Sequence, residues 1–163
     1  MDSPIEAHIR SLPERQFKAG ETVITENEPA EGLFFLVSGR VEVTKQDVKI
    51  CRVDEPGAVF GEMSVILNRP PVASVVALED CVFKMATGSL SLLKENPDVT
   101  FYVSRILAQR LNALNRYLVD LKRQFEDRGD HLGFVDEILD AIMNAHPDEE
   151  TADKRRDENF DDD

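Results

Sequence analysis

The feature that most constrains the fold of this chain is a series of short β-type segments joined by glycine turns. Residues 33–37 form a continuous apolar run, Ser38-Gly39 is a turn, and residues 40–44 alternate between polar and apolar side chains. Further β-type runs cover residues 22–25, 48–53, 72–78 and 81–85. Because no long helical pattern separates these runs, they indicate an antiparallel roll or barrel rather than a parallel sheet.

Helical patterns flank the β-type segments. Apolar side chains at helical spacing predict a short amphipathic helix over residues 5–12, closed by Pro13. The same spacing predicts one short helix over residues 89–93 and an amphipathic helix over residues 131–145. A long helix is predicted to begin near Asp98.

Six apolar residues of the long helix follow one another at spacings of 4, 3, 4, 3 and 4. This spacing is typical of a seam between two helices, although the helix packing on its own domain explains it as well. The seam residues are Leu107, Leu111, Leu114, Leu118, Leu121 and Phe125.

Residues 56–74 carry the candidate site. A Pro-Gly turn leads to Gly61, and residues 62–67 have the length of one or two helical turns. A glycine beside a first helical turn leaves backbone N–H groups facing outward, which suits an anion. Glu62 would repel a bare phosphate but suits a ribose phosphate, whose hydroxyl donates to a carboxylate. The simpler interpretation, favoured by these two residues alone, is an acid that stabilises the helix dipole.

The same stretch resembles the phosphate-binding cassette of cyclic-nucleotide-binding domains, whose pattern is Phe-Gly-Glu, an apolar run, a turn and Pro-Arg-Ala-Ala-Thr-Val. Residues 17–21, 32–39 and 41–43 also match the first half of that family. The resemblance covers about residues 10–125 and implies an α+β, mainly β fold, a jelly-roll-like antiparallel β-roll with flanking helices. The cassette residues that fit in register are Phe60, Gly61, Glu62, Met63, Ser64, Val65, Ile66, Pro70, Ala73, Ser74 and Val75.

The resemblance implies a role for each cassette residue. Glu62 would accept hydrogen bonds from the ribose 2′-hydroxyl. The N–H groups of Gly61, Met63, Ser64 and Val72 would lie near the cyclic phosphate, and Ala73 and Ser74 complete the ligand-binding set. Val72 lacks the hydroxyl with which some relatives hold guanine, so cyclic AMP is the expected ligand. The base would lie against the long helix near Asn112, Asn115 and Arg116.

The sequence departs from the family at the phosphate-binding arginine, which falls on Pro71. A charge-assisted hydrogen bond contributes about 1.5–3 kcal/mol, so its loss is expected to weaken binding roughly tenfold to a hundredfold. Arg69 lies two residues earlier and is a candidate substitute, but the rigid Pro70-Pro71 pair lies between them. The alternative is that Arg69 is simply an exposed loop residue.

The resemblance also bears on assembly. The long helix is similar to the dimerisation helix of catabolite activator proteins, which favours a homodimer. The helix-turn-helix domain expected after it is replaced by an acidic run, with nine acids and three bases in residues 148–163. Together with a net charge of −13, this argues against nucleic acid as a partner.

Composition excludes several further classes. No apolar run approaches the roughly 20 residues of a membrane span, and the N-terminus lacks a signal-peptide pattern. Scattered histidines and two cysteines indicate neither a catalytic constellation nor a metal site. Cys51 and Cys81 are expected to be buried free thiols in a reducing cytosol.

We therefore expect a β-roll with short helices over residues 1–97, a dimerisation helix over 98–127, a short amphipathic helix over 128–146 and a disordered acidic tail over 147–163. The predicted protein is a non-enzymatic cytoplasmic sensor that binds cyclic AMP weakly, without a cofactor, and signals to a protein partner still to be identified. The alternative is a dimeric scaffold whose degenerate pocket binds no nucleotide. A transcription regulator without its own helix-turn-helix is disfavoured.

Overall fold

A computed structural model of the chain describes residues 3–124 and 132–144. Within the described residues the chain divides into two compact units, the first ending at Ala108 and the second beginning at Gln109. The helices are α1 (Pro4–Ser11), α2 (Glu62–Leu67), α3 (Ser89–Glu95), α4 (Pro97–Gln124) and α5 (Leu132–Met143). The strands are β1 (Glu14–Phe17), β2 (Thr22–Ile24), β3 (Leu33–Ser38), β4 (Val41–Lys45), β5 (Val48–Val53), β6 (Val59–Phe60), β7 (Ser74–Ala77) and β8 (Cys81–Ala86).

The eight strands of the described residues form two four-stranded sheets in which every pairing is antiparallel. The first sheet has the order β1-β8-β3-β6 and the second the order β2-β7-β4-β5. The predicted mainly β, antiparallel roll with flanking helices is confirmed. The expected strand over residues 72–78 begins only at Ser74, after the two prolines that lack N–H donors for a ladder.

The core of the roll is a cluster of aromatic rings around Phe83 of β8. The ring of Phe83 meets those of Phe17, Phe34 and Phe60 edge to face at centroid distances of 5.7, 6.0 and 6.1 Å. Edge-to-face contacts are a favoured geometry for aromatic pairs. They join β1, β3, β6 and β8 around one point.

A second apolar cluster lies on the other face of β3. Leu33 and Phe35 of β3 pack with Val59, Val99 and Val103, the last two from α4. Strand β3 is therefore buried on both faces along residues 33–36, which explains why its sequence is continuously apolar instead of alternating. The N-terminal part of α4 is in this way part of the first unit.

One sequence expectation is wrong. Cys81 is buried, and burial raises the pKa of its thiol, but Cys51 is exposed. Cys51 lies on β5, an edge strand of the second sheet whose residues are almost all exposed. An edge strand has neighbours on one side only, so a β-type run does not by itself imply burial.

The second unit contains the C-terminal part of α4 and helix α5. Lys122 of α4 forms an ion pair with Asp136 of α5. The acidic tail over residues 147–163 lies outside the described residues. None of the helices described is both long enough and apolar enough to cross a membrane.

Candidate functional site

Gly61 fixes the geometry of the cassette. Strand β6 ends at Phe60, and Gly61 caps α2 with a left-handed φ of 83°. A Cβ at this position would lie closer than 3.0 Å to the carbonyl oxygen of Gly32, a separation that real Cβ atoms essentially never show. Only glycine satisfies both the backbone conformation and the close approach. The first turn of α2 is thereby held against the turn that precedes β3.

Glu62 is the buried carboxylate of the cassette. It is the first residue of α2 and is only 5% exposed, and Ser64 on the same turn is buried as well. Met63 between them is exposed. A charged residue on a six-residue helix is rarely buried unless it meets polar groups. The placement of Glu62 therefore fits a polar ligand as well as a purely structural helix start.

The second half of the cassette is bonded to the turn after β2. The buried Pro71 accepts a hydrogen bond of 2.8 Å from the N–H of Asn27 through its carbonyl oxygen. The Oγ of Ser74 accepts one of 3.0 Å from the N–H of Glu26. Between them, Val72 is partly exposed and Ala73 is half-buried. These bonds fix the segment that follows α2 against β2.

Pro71 lines a small cavity of about 100 Å³. This cavity lies beside β2 and the turn that follows it. Its lining comprises residues 22–25 and 28–31 together with Arg15, Phe34 and Pro71. Glu62 lies outside this lining, so the predicted ribose carboxylate and the predicted phosphate position do not share one open pocket.

Arg69 lines a different and larger groove, of about 500 Å³. The groove is bounded by residues 29–32, 64–65, 68–70 and 88–91. Ser64 and Arg69 are the predicted ligand-binding residues that meet there. Arg69 and Pro71 therefore face different concavities, although they lie only two positions apart in sequence.

Arg15 is the cation of the small cavity, and sequence reasoning missed it. Its Nη1 donates to the carboxylate of Glu31, and its guanidinium lies 5.1 Å from the centroid of the Phe17 ring. Arg15 and Phe17 are two residues apart on β1, so they share the face that turns toward the core. The signal that would have found it is a cation two residues before a core aromatic in a strand.

The predicted base-side residues lie on the part of α4 that belongs to the second unit. Asn112 and Arg116 are exposed there. Asn115 is half-buried, and its Oδ1 is buried with no hydrogen-bond partner among residues 3–124 and 132–144. Their contact with a base stays a prediction.

The seam residues differ in their surroundings. Leu107 packs in part against the apolar cluster of the first unit. Leu111 and Leu114 are 42% and 46% exposed, whereas Leu118 and Leu121 are half-buried. Phe125 lies outside the described residues. The dimer seam stays a prediction.

The fold defines a class, that of antiparallel β-rolls with flanking helices and a short helix between two of the strands. The family model "Cyclic nucleotide-binding domain" matches residues 14–98, slightly more than half of the chain. The chain belongs to the cyclic-nucleotide-binding domain family. Among the described residues, no group of three or more His, Cys, Asp or Glu side chains is placed to hold a metal ion.

The names of two relatives refer to cyclic AMP. The chain is 36% identical over 74 residues to a cAMP-dependent protein kinase regulatory subunit of Yarrowia lipolytica, covering 45% of this chain and 20% of that protein. It is 28% identical over 125 residues to a CRP-like cAMP-activated global transcriptional regulator of Mycobacterium tuberculosis, covering 73% and 56%. The chain thus spans little more than half of these relatives at most.

A solved structure supports the fold. The catabolite activator protein of Thermus thermophilus superposes with a TM-score of 0.62 at 24% identity, over 74% of this chain and 60% of that one. At this identity the likeness concerns the fold alone.

Proposed function

We propose that this chain is a regulatory sensor that binds cyclic AMP in its cassette with weakened affinity and signals through α4. The observation that carries the proposal is the pairing of Gly61 with Glu62. Gly61 is held in a left-handed conformation against Gly32, and Glu62 is buried at the first turn of α2. Outward N–H groups beside a sheltered carboxylate suit a ligand with a phosphate next to a hydroxyl.

Weak binding follows from the phosphate side of the site. Pro71 brings no cation and no N–H donor, and it is itself buried. The cavity beside it measures about 100 Å³, whereas sites for drug-sized ligands are typically about 300–1,000 Å³. A nucleotide therefore requires the cassette to move away from the roll, and the free energy of that movement is subtracted from the affinity.

Cyclic AMP is preferred over cyclic GMP in this proposal. Val72 presents no hydroxyl to a guanine, and it is partly exposed beside the buried Pro71. The names of both curated relatives quoted above contain cAMP. An adenine needs no donor or acceptor from residue 72.

In this proposal the signal is transmitted by the formation of a homodimer through α4. Leu111 and Leu114 expose apolar surface on α4, which a second copy of the helix would bury in a homodimer. The complex then acts on a protein partner in the cytoplasm, without catalysis of its own. The net charge of −13 disfavours nucleic acid as that partner.

A second function, a dimeric scaffold that binds no nucleotide, is favoured by one observation. The N–H of Asn27 already donates to the carbonyl oxygen of Pro71, which ties the segment after α2 to the turn after β2 beside a recess of only about 100 Å³. In that case the β-roll serves only to present α4.

Titration calorimetry with cyclic AMP and cyclic GMP decides between the two. The sensor predicts binding of cyclic AMP in the micromolar range or weaker, and at least tenfold loss in Glu62→Gln, which keeps the shape of the side chain but removes its charge. Glu95→Gln on α3 is the matched control and should leave the affinity unchanged. Absence of heat with either nucleotide at millimolar concentration would establish the scaffold.

A further inference from the structure

We infer that Arg15 of β1 supplies the positive charge at the phosphate end of the pocket, in place of the cation missing from the cassette. This inference rests on the proposed function, because it concerns the same ligand. It differs from the sequence-based alternative, in which Arg69 fulfils that role.

Arg15 lies at the recess that Pro71 lines. Arg15 and Pro71 line the same cavity of about 100 Å³, and Arg15 is the one cation among the described residues that line it. Arg69 lines the groove between α2 and α3 instead. An anion that enters the recess at Pro71 therefore meets the guanidinium of Arg15 and not that of Arg69.

The guanidinium of Arg15 offers several N–H donors to an anion. A guanidinium has five N–H donors. The bonds to Glu31 and to the Sδ of Met85, the latter 3.6 Å long, both start from Nη1. Within residues 3–124 and 132–144, Nη2 and Nε have no hydrogen-bond acceptor. These donors remain for a planar two-point contact with a phosphate.

The guanidinium of Arg15 is oriented by the ring of Phe17. The ring centroid of Phe17 lies 5.1 Å from the guanidinium, while Nη1 donates to Glu31, a partner that an anion would displace. Arg15 is thus held in place before a ligand arrives, which reduces the ordering cost of binding. Its ion pair is easily exchanged, because the two side chains are 44% and 55% exposed.

The recess beside Pro71 is small. A volume of about 100 Å³ equals roughly three water molecules in the liquid, enough for a phosphate group but not for a nucleoside. The recess therefore matches the phosphate end of the ligand. Two acids, Glu28 and Glu31, share the lining and oppose an anion.

The test is cyclic AMP affinity by calorimetry in a small set of variants. Arg15→Gln should weaken binding at least tenfold, whereas Arg69→Gln should change it less than twofold. Glu31→Gln removes the competing carboxylate and should tighten binding severalfold, but only in a protein that retains Arg15. Glu28→Gln is the control for the general effect of removing an acid from the recess.

The outcomes separate this inference from the proposed function. Unchanged affinity in Arg15→Gln, or a larger loss in Arg69→Gln, overturns the assignment of Arg15 and leaves cyclic AMP binding intact. Failure of the unmodified protein to bind cyclic AMP would refute both the assignment of Arg15 and the proposed sensor function. If Arg15→Gln lowers the melting temperature below the working range, Arg15→Lys keeps the charge without the planar fork and should still weaken binding. Equal gains from Glu31→Gln with and without Arg15 also contradict the inference.

Discussion

The phenol of Tyr102 on α4 donates a hydrogen bond of 2.6 Å to the carbonyl oxygen of Gly57, in the turn that leads through β6 to the cassette. Gly57 has a φ of 89°, and a Cβ there would lie 2.6 Å from the phenol oxygen. The long helix and the start of the cassette are therefore joined by one bond and one close approach, both within the first unit.

Tyr102→Phe tests this connection. It leaves the Gly57 carbonyl without its partner, so we expect the free energy of unfolding to fall by about 1–3 kcal/mol. Urea denaturation followed by circular dichroism measures the change. The control is Tyr117→Phe on the exposed part of α4, which should be neutral. Equal stability of both variants and the unmodified protein would show that the bond contributes nothing.

The same phenol predicts a pH dependence. Burial raises the pKa of Tyr102 above its ordinary value, with smaller contributions from Glu6 and Glu55. The unfolded chain therefore releases this proton first as the pH rises through about 10. The contribution of the protonated phenol to the free energy of unfolding is complete below about pH 10 and is lost as the pH rises further. Denaturation curves between about pH 8 and 11 should show a steeper decline for the unmodified protein than for Tyr102→Phe.

Gly61→Ala tests the cassette backbone. Gly61 and Gly20 have similar φ values of 83° and 88°, but among the described residues an added Cβ would meet a close neighbour at Gly61 and none within 4 Å at Gly20. Gly20→Ala should therefore cost only the left-handed strain of about 1–2 kcal/mol. Gly61→Ala should cost clearly more and should abolish cyclic AMP binding. Similar melting temperatures for the two variants would contradict the close contact with Gly32.

Much of the fold was predictable from the sequence because its determinants are local. Helix α2 begins at Glu62 and ends at Leu67 as expected, since Gly61 and the segment with two prolines bound it. The exposure of Cys51 was not predictable in this way. It depends on the position of β5 at the edge of a sheet, which is set by strands distant in sequence.

The candidate site was predictable only in part, because some of its residues are brought together by contacts between segments distant in sequence. The positions of Gly61 and Glu62 at the start of α2 follow from one short motif. Arg15 reaches the small cavity at Pro71 through a pair with Glu31 sixteen residues away and through its register on β1, neither of which a motif records. The size of the cavity at Pro71 also depends on how β2 and its turn pack.

Leu114→Glu combined with Leu121→Glu tests assembly. A charge at these two seam positions would be buried against a second helix, so the double variant should be monomeric in light scattering. The matched control is Val119→Glu, an exposed apolar residue of α4 outside the seam, which should remain dimeric. A monomeric unmodified protein at tens of micromolar would refute the homodimer.

Pro71→Arg tests the site where the sequence departs from the family. Restoring the cation should tighten cyclic AMP binding by about 1.5–3 kcal/mol, roughly tenfold to a hundredfold. The carbonyl of residue 71 can keep its bond to the N–H of Asn27, because the substitution changes only the side chain. Pro71→Ala is the control, since it opens the recess without adding charge.

The interpretation of a gain in cyclic AMP affinity depends on the residues around position 71. Pro71 lines the cavity that Glu31 and Arg15 already share, so the guanidinium introduced by Pro71→Arg would compete with Arg15 for that carboxylate. If Arg15 already serves the phosphate, the gain from Pro71→Arg should be larger in Arg15→Gln than in the unmodified protein, because only there is the charge missing. Adding Glu62→Ala should undo much of the gain in either background. No gain in any background, measured by calorimetry, would mean that the recess has been closed to nucleotides and that the β-roll serves as a scaffold.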